Sequence, residues 1–291
     1  MNRSVLLLLL VTLVWGTTFP LLKSASADLN GVEISALRFV VAAVCMLPFL
    51  TRAPRAAWTD GMLLGVLALA SYVAQAYGLQ HISSNRSAFL TSLNVLIVPF
   101  LGLLFGGRLS APVLLAAILA CLGIGLMSWE GGGSPQGDAA TLLCALAYAL
   151  YVIVLSRRSP KNQSAHLAAT QIAVMAILAT LWVLLQSTNT DTDTLASLPA
   201  RAAPHAMTIL YLGACATAAM LFLQAIGQRK VAADKAAVIY SMEPVFASLF
   251  GWMWLGEVLG ARGLAGGAIV VGALLLSELR PQPKETASNQ P

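Results

Sequence analysis

Residues 75–92 read QAYGLQHISSNRSAFLTS, and residues 224–241 read QAIGQRKVAADKAAVIYS. Laid over each other 149 positions apart, they match Gln75 with Gln224, Gly78 with Gly227, Asn85 with Asp234, Arg86 with Lys235 and Ser92 with Ser241. The register holds further along, where Gly102 falls on Gly251, Gly107 on Gly256, Gly123 on Gly272 and Ser128 on Ser277. Towards the start of each copy the best offset is 133, which sets Trp15 on Tyr148 and Arg38 on Gln171. The 16-residue difference is absorbed by the polar stretch 187–204. The chain thus reads as one unit written twice, 1–133 and 134–280, with a polar tail over 281–291 predicted to be disordered.

Composition says what kind of unit this is. Of 291 residues 58% are hydrophobic and only 10% charged, and the mean hydropathy is +0.79. Soluble domains carry about 25% charged residues, so this chain cannot cover a water-facing surface. A soluble enzyme and a nucleic-acid binder are both excluded, and the net charge of +5 belongs to short loops. Ten apolar runs approach the roughly 20 residues a membrane-crossing helix needs: 4–22, 32–50, 61–80, 85–106, 110–128, 137–157, 164–186, 205–226, 234–255 and 262–279. The runs are continuous rather than alternating, which excludes a β-barrel. The expected fold class is all-α, a polytopic membrane protein of ten transmembrane helices. Because each copy holds five, the second enters from the opposite side. The result is two inverted five-helix repeats, the architecture of secondary transporters.

Orientation follows from Lys and Arg. With both termini inside, twelve lie on the inner side and four on the outer, a clear positive-inside bias. The expected location is the cell inner membrane, multi-pass, with both termini cytoplasmic. A reporter fused after Pro291 should behave as cytoplasmic, and one inserted at 191–193 as external. The reverse result at either site would overturn this topology. The start of the chain resembles a signal peptide, with Ala25-Ser26-Ala27 as a cleavage pattern. Cleavage would remove the first element of the repeat, so the run is read as a span.

Several motifs carry a family resemblance: Trp15-Gly16-Thr17-Thr18-Phe19, Ala36-Leu37-Arg38-Phe39, Met242-Glu243-Pro244-Val245-Phe246 and Leu255-Gly256-Glu257. In order, spacing and duplication they resemble the EamA-type family of the drug/metabolite transporter superfamily, across 4–277. The resemblance implies ten helices in two inverted halves and export of amino acids or other small metabolites. The first half departs from the pattern. Asn94-Val95 stands where the family has a proline-containing turn, and Arg108 where Gly-Glu is common. The fourth helix is therefore expected to bend differently from the ninth, where Pro244 follows Glu243.

Function is sought among polar residues that hydrocarbon should exclude. An ionisable group at mid-span costs roughly 2.5–3.5 kcal/mol on insertion scales. Arg38 and Glu243 are two such groups of opposite sign. With their repeat partners Gln171 and Asn94, and with Gln75 and Gln224, they make three repeat-related pairs that a pseudo-two-fold axis would gather. One reading is a buried ion pair between Arg38 and Glu243 that locks the bundle, with the amides as interhelical glue. The other is a water-accessible cavity, in which Arg38 suits a carboxylate and Glu243 an ammonium or a proton. Helical spacing adds Ser87 and Thr91 to the face of Asn94, Tyr240 to that of Glu243, and Trp15, Tyr72, Tyr148 and Tyr151 elsewhere. The candidate substrate-binding set is Trp15, Arg38, Gln75, Thr91, Asn94, Tyr148, Gln171, Gln224, Tyr240 and Glu243. Glycines four apart, Gly61/Gly65, Gly102/Gly106 and Gly263/Gly267, read as close-packing positions.

The leading reading is a secondary transporter that exports small organic metabolites, most simply amino acids or related amphipathic solutes, by alternating access. The partners are a small solute and the lipid bilayer, with protons as the candidate coupling ion and no nucleic acid. A membrane-embedded enzyme and a non-transporting scaffold are the alternatives. Neither HExxH nor GxSxG occurs, and His81, His166 and His205 fall at span ends, so no catalytic residue is expected. Cys45, Cys121, Cys144 and Cys215 lie singly, without metal-ligand spacing. No metal and no cofactor are expected, and without GxxxxGK[ST] no nucleotide site is either.

Overall fold

A computed structural model describes residues 3–104, 111–128, 134–189, 194–255 and 260–278. The boundary after residue 133, Arg108, the 191–193 insertion site, the Gly256-Glu257 motif and the 281–291 tail lie outside the described residues. All regular structure among the described residues is helical. Hydrocarbon leaves the backbone no water to bond, so helices that satisfy their own N–H and C=O groups are the natural outcome.

The helices form ten arms. The first is α1 (Arg3–Gly16) and α2 (Thr18–Ala25), the second α3 (Gly31–Leu50), the third α4 (Arg55–His81). The fourth is α5 (Ser84–Ser92) and α6 (Asn94–Leu104), and the fifth α7 (Ala111–Ser128). The sixth is α8 (Pro135–Arg158), and the seventh α9 (Ser164–Asn189). The eighth joins α10 (Thr194–Ala202), α11 (Ala206–Leu210), a π-helical segment (Tyr211–Ala219) and α12 (Met220–Gln228). The ninth is α13 (Ala233–Tyr240) and α14 (Glu243–Leu255), and the tenth α15 (Ala261–Glu278). Seven arms are long and apolar enough to cross a membrane, and α7 and α15 add shorter apolar helices. The protein is a polytopic membrane protein.

The stretch 187–204, expected to be a polar connection, is largely helical: α9 continues to Asn189 and α10 occupies 194–202. Leu198 and Ala202, four residues apart on α10, pack against the core. That apolar face holds the segment in place despite its Thr-, Asp- and Ser-rich surroundings.

Packing pairs arms five places apart. The second arm lies on the seventh (α3 on α9), the fifth on the tenth (α7 on α15), and the fourth on the ninth (α6 on α13). The remaining extensive contacts also cross between halves, with α4 on α8 and α9, and α1 on α12 and α14. Each half thus supplies the core of the other. Among the glycine pairs, Gly61 and Gly65 pack tightly on α9, against Thr170 and Gln171. Gly102 meets nothing within 4 Å, so it is not the close-packing position its spacing suggested.

The fourth and ninth arms break at the same place in the repeat, contrary to expectation. Leu93 separates α5 from α6, and Ser241-Met242 separates α13 from α14, so the counterparts Asn94 and Glu243 each open a second segment. Tight turns make both breaks: Leu93 N donates to Leu90 O at 3.3 Å, and Met242 N to Ile239 O at 3.1 Å. Pro244 sits in the first turn of α14, where its missing N–H costs nothing. Pro244 has no N–H to offer the Tyr240 carbonyl, where α13 ends, so it fits the ninth break; the fourth has no proline at the equivalent position. Two further irregularities lack a counterpart. Thr17 interrupts the first arm whereas α8 runs straight through, and the π segment of the eighth arm faces an unbroken α4. Irregular backbone is tolerated at membrane depth only where protein buries it or it lines a cavity.

Candidate functional site

The broken arms converge on two groups of polar side chains. The first surrounds Arg38, on α3 and 2% exposed. Its Nε donates to Thr217 Oγ1 at 3.0 Å, and one terminal nitrogen reaches Leu212 O at 3.5 Å. Thr217 Oγ1 in turn donates to the same Leu212 carbonyl at 2.7 Å. Both acceptors belong to the π segment, and π turns often mark functional positions. The guanidinium lies 4.8 Å from the centroid of the Tyr72 ring, a cation–π distance. Of its five N–H groups, these contacts engage two.

Glu243 opens α14 and is only partly buried. Its carboxylate has no hydrogen-bond or ion-pair partner among the described residues. Tyr240 stands three residues before it on the same arm. The ion pair between Arg38 and Glu243 that would lock the bundle is thus not formed. Ionic locking is done elsewhere, at the arm ends. Arg86–Asp138 at 2.7 Å, Arg158–Asp60 at 3.1 Å, Arg201–Glu33 and His205–Asp28 each tie one half to the other. Glu33 also closes a capping box at the start of α3, accepting from Asn30 N at 2.8 Å.

The second group is aromatic. Trp15, Tyr148 and Tyr240 form a triangle with ring centroids 6.0, 5.9 and 5.8 Å apart, and Tyr151 stacks on Tyr148 at 5.9 Å. Gln224 is fully buried between two of them: it accepts from Tyr151 Oη at 3.2 Å and donates to Tyr148 Oη at 3.1 Å. A smaller polar line runs beside it. Ser71 Oγ meets Cys144 Sγ at 3.3 Å, and Gln75 Nε2 donates to Thr91 Oγ1 at 3.5 Å.

Two buried amides are left short of partners. Asn94 Nδ2 donates to Thr91 O at 2.8 Å, but its Oδ1 is unpartnered. Gln171 is fully buried on α9, and neither amide atom has a partner among the described residues. An unsatisfied buried polar atom costs about 1–3 kcal/mol, so a bonding partner is due at both. Tyr72, Gln75, Tyr148 and Glu243 are only partly buried.

The structure brings Trp15, Tyr148, Tyr240 and Gln224 into one cluster and Gln75, Thr91 and Asn94 into a neighbouring line. Arg38 is held apart against Tyr72, and Gln171 is joined to none of the others by a hydrogen bond. Sequence reasoning missed Thr217 and Gln228. Gln228 lies one helical turn beyond Gln224, so i,i+4 spacing pointed to it. Nothing local marks Thr217, whose role depends on the π turn.

Comparison with known proteins adds a family-level result. The EamA-like transporter family matches residues 2–129 and again 135–279. An uncharacterized transporter of Archaeoglobus fulgidus is 28% identical over 276 residues, spanning 94% of this chain and 85% of its own. A probable terminal-alkyne amino-acid exporter of Streptantibioticus cattleyicolor is 24% identical, spanning 100% of this chain and 98% of its own. A crystal structure at 18% identity superposes with a TM-score of 0.76 over 96% of both chains, which establishes a shared fold.

Proposed function

The chain belongs to the EamA-like transporter family, and from that premise we propose that it is a secondary transporter of the inner membrane that exports small amphipathic metabolites of the amino-acid class. The observation that carries this reading is the pair of unpaired mid-span charges. Arg38 and Glu243 are each costly at membrane depth, and neither neutralises the other. A solute with a carboxylate and an ammonium supplies both counter-charges. Arg38, backed by Tyr72 and Thr217, is the carboxylate receptor; Glu243 beside Tyr148 and Tyr240 receives the ammonium or a coupling proton. Gln75, Thr91, Asn94, Gln171, Gln224 and Trp15 complete the lining. Units 1–133 and 134–280 are the inverted repeats that rock about this chamber, with both termini cytoplasmic. The exporter from Streptantibioticus cattleyicolor, named for an amino acid, supports the substrate class.

The test is flux in proteoliposomes that contain only this protein, with radiolabelled leucine as the probe. In a variant freed of its four native cysteines, cysteines placed at Asn94 and at Gln75 should react with a small water-soluble maleimide. Added leucine should slow that reaction. Inertness of both sites in a variant that still transports would remove the chamber from the reading.

A further inference from the structure

Trp15, Tyr148 and Tyr240 come from the first, sixth and ninth arms, yet their polar ends are all tied to the eighth. Trp15 Nε1 donates to Ala216 O at 2.9 Å, Gln224 Nε2 donates to Tyr148 Oη at 3.1 Å, and Tyr240 Oη donates to Gln228 Oε1 at 3.1 Å. Gln228 is 1% exposed and is itself clamped. Its Nε2 donates to Val152 O at 3.1 Å and to Ser156 Oγ at 2.8 Å, both on α8. With the amide nitrogen committed there, the oxygen on the other side of the group is fixed towards Tyr240. The three centroids stand too close together for a solute to enter between the rings. The rings present a continuous wall, and Glu243 follows Tyr240 by three residues on the ninth arm.

We propose that Gln228 is a positioning residue of the transport site, acting through the Tyr240 hydroxyl to hold that ring against Trp15 and Tyr148. The proposal rests on the central chamber being the solute site. A wall set before the solute arrives removes a side-chain ordering cost from binding. Gln228 touches no part of the chamber itself; its effect passes through one hydrogen bond.

Two readouts test this, one without any solute. In a version that keeps Trp15 and replaces the other tryptophans with Phe, acrylamide quenching reports how tightly the Trp15 ring is covered. Tyr240→Phe keeps the ring and removes only the tether. It should raise quenching and raise the leucine KM about fivefold, the worth of one buried hydrogen bond. Gln228→Leu should do the same, with kcat nearly unchanged, and the double variant should stay at about fivefold. Gln228→Asn, one methylene shorter, serves if Gln228→Leu does not fold. Ser156→Ala removes one of the two bonds from Gln228 to α8; the bond to Val152 O still orients the amide, so quenching and KM should stay at parent values. A Gln228 that merely fastens α12 to α8 would give a different pattern. Ser156→Ala and Gln228→Leu would then lower the thermal midpoint together, while Tyr240→Phe left quenching unchanged; that result, or multiplying effects in the double variant, overturns the proposal. Failure of the chamber reading is separately visible, as altered quenching in a protein whose leucine flux does not depend on Glu243.

Discussion

Glu243→Gln should leave a folded protein that moves solute ten- to a hundredfold more slowly, about the worth of one charge-assisted hydrogen bond. The carboxylate has no partner among the described residues, so a neutral isostere removes no internal contact and strands no opposite charge. That differs sharply from a structural ion pair. If Arg38 depended on Glu243, removing one partner would cost about 3–5 kcal/mol and folded protein would be lost. Neutralising both would then restore it, because a well-packed neutral pair can match a buried ion pair. With Arg38 held by Thr217, Leu212 and Tyr72 instead, the Arg38→Gln, Glu243→Gln double variant should remain impaired. If Glu243 also carries the coupling proton, parent transport should vary with pH, and Glu243→Gln should lose that variation. Flux and thermal midpoints in detergent check both points. A stable double variant with parent flux and unchanged pH behaviour would end the functional assignment of both residues.

Gly213→Val should be among the most damaging single changes to the scaffold. A Cβ at Gly213 would stand 2.5 Å from the Val41 Cβ and 2.7 Å from the carbonyl oxygen of Arg38. The second contact is backbone, which cannot swing aside, so α3 must move off the π segment. Overpacking of this kind costs typically about 1–3 kcal/mol. Here it would also draw Arg38 away from Thr217. The expected result is a lower thermal midpoint together with loss of flux. Gly213→Ala should fall in between, and Gly102→Ala, with nothing within 4 Å of its added Cβ, should stay at the parent values. A Gly213→Val protein with parent stability and flux would show that this close approach is unimportant.

The helical arms were legible because apolar length is a one-dimensional property. The second arm, expected at 32–50, is found at Gly31–Leu50, and the seventh, expected from 164, begins at Ser164. The interruptions were not legible. Pro244 drew attention to the ninth arm, but the fourth breaks at the equivalent position with no proline there, where Leu93 N turns back to Leu90 O. The candidate site was half legible. Polar type and mid-span position singled out Arg38, Gln224 and Glu243; the first two are buried and the third is partly buried. What binds them could not be read, because the partners are far away in sequence: 179 positions separate Arg38 from Thr217, and 201 separate Trp15 from Ala216. No local period encodes such pairings.

The π segment has a consequence for the phase of the eighth arm. Each residue of an α-helix advances the side chains by about 100°, whereas a π turn takes up extra residues with little net rotation. Everything after Ala219, including Gln224 and Gln228, is therefore clocked differently against Leu212 than in an uninterrupted helix. Straightening the segment into α-helix at unchanged length would swing both glutamines away from the tyrosines they hold, whereas deleting one residue would let it close as α-helix with both near their present phase. The eighth arm thus differs from the unbroken α4, its counterpart in sequence register, through its backbone alone.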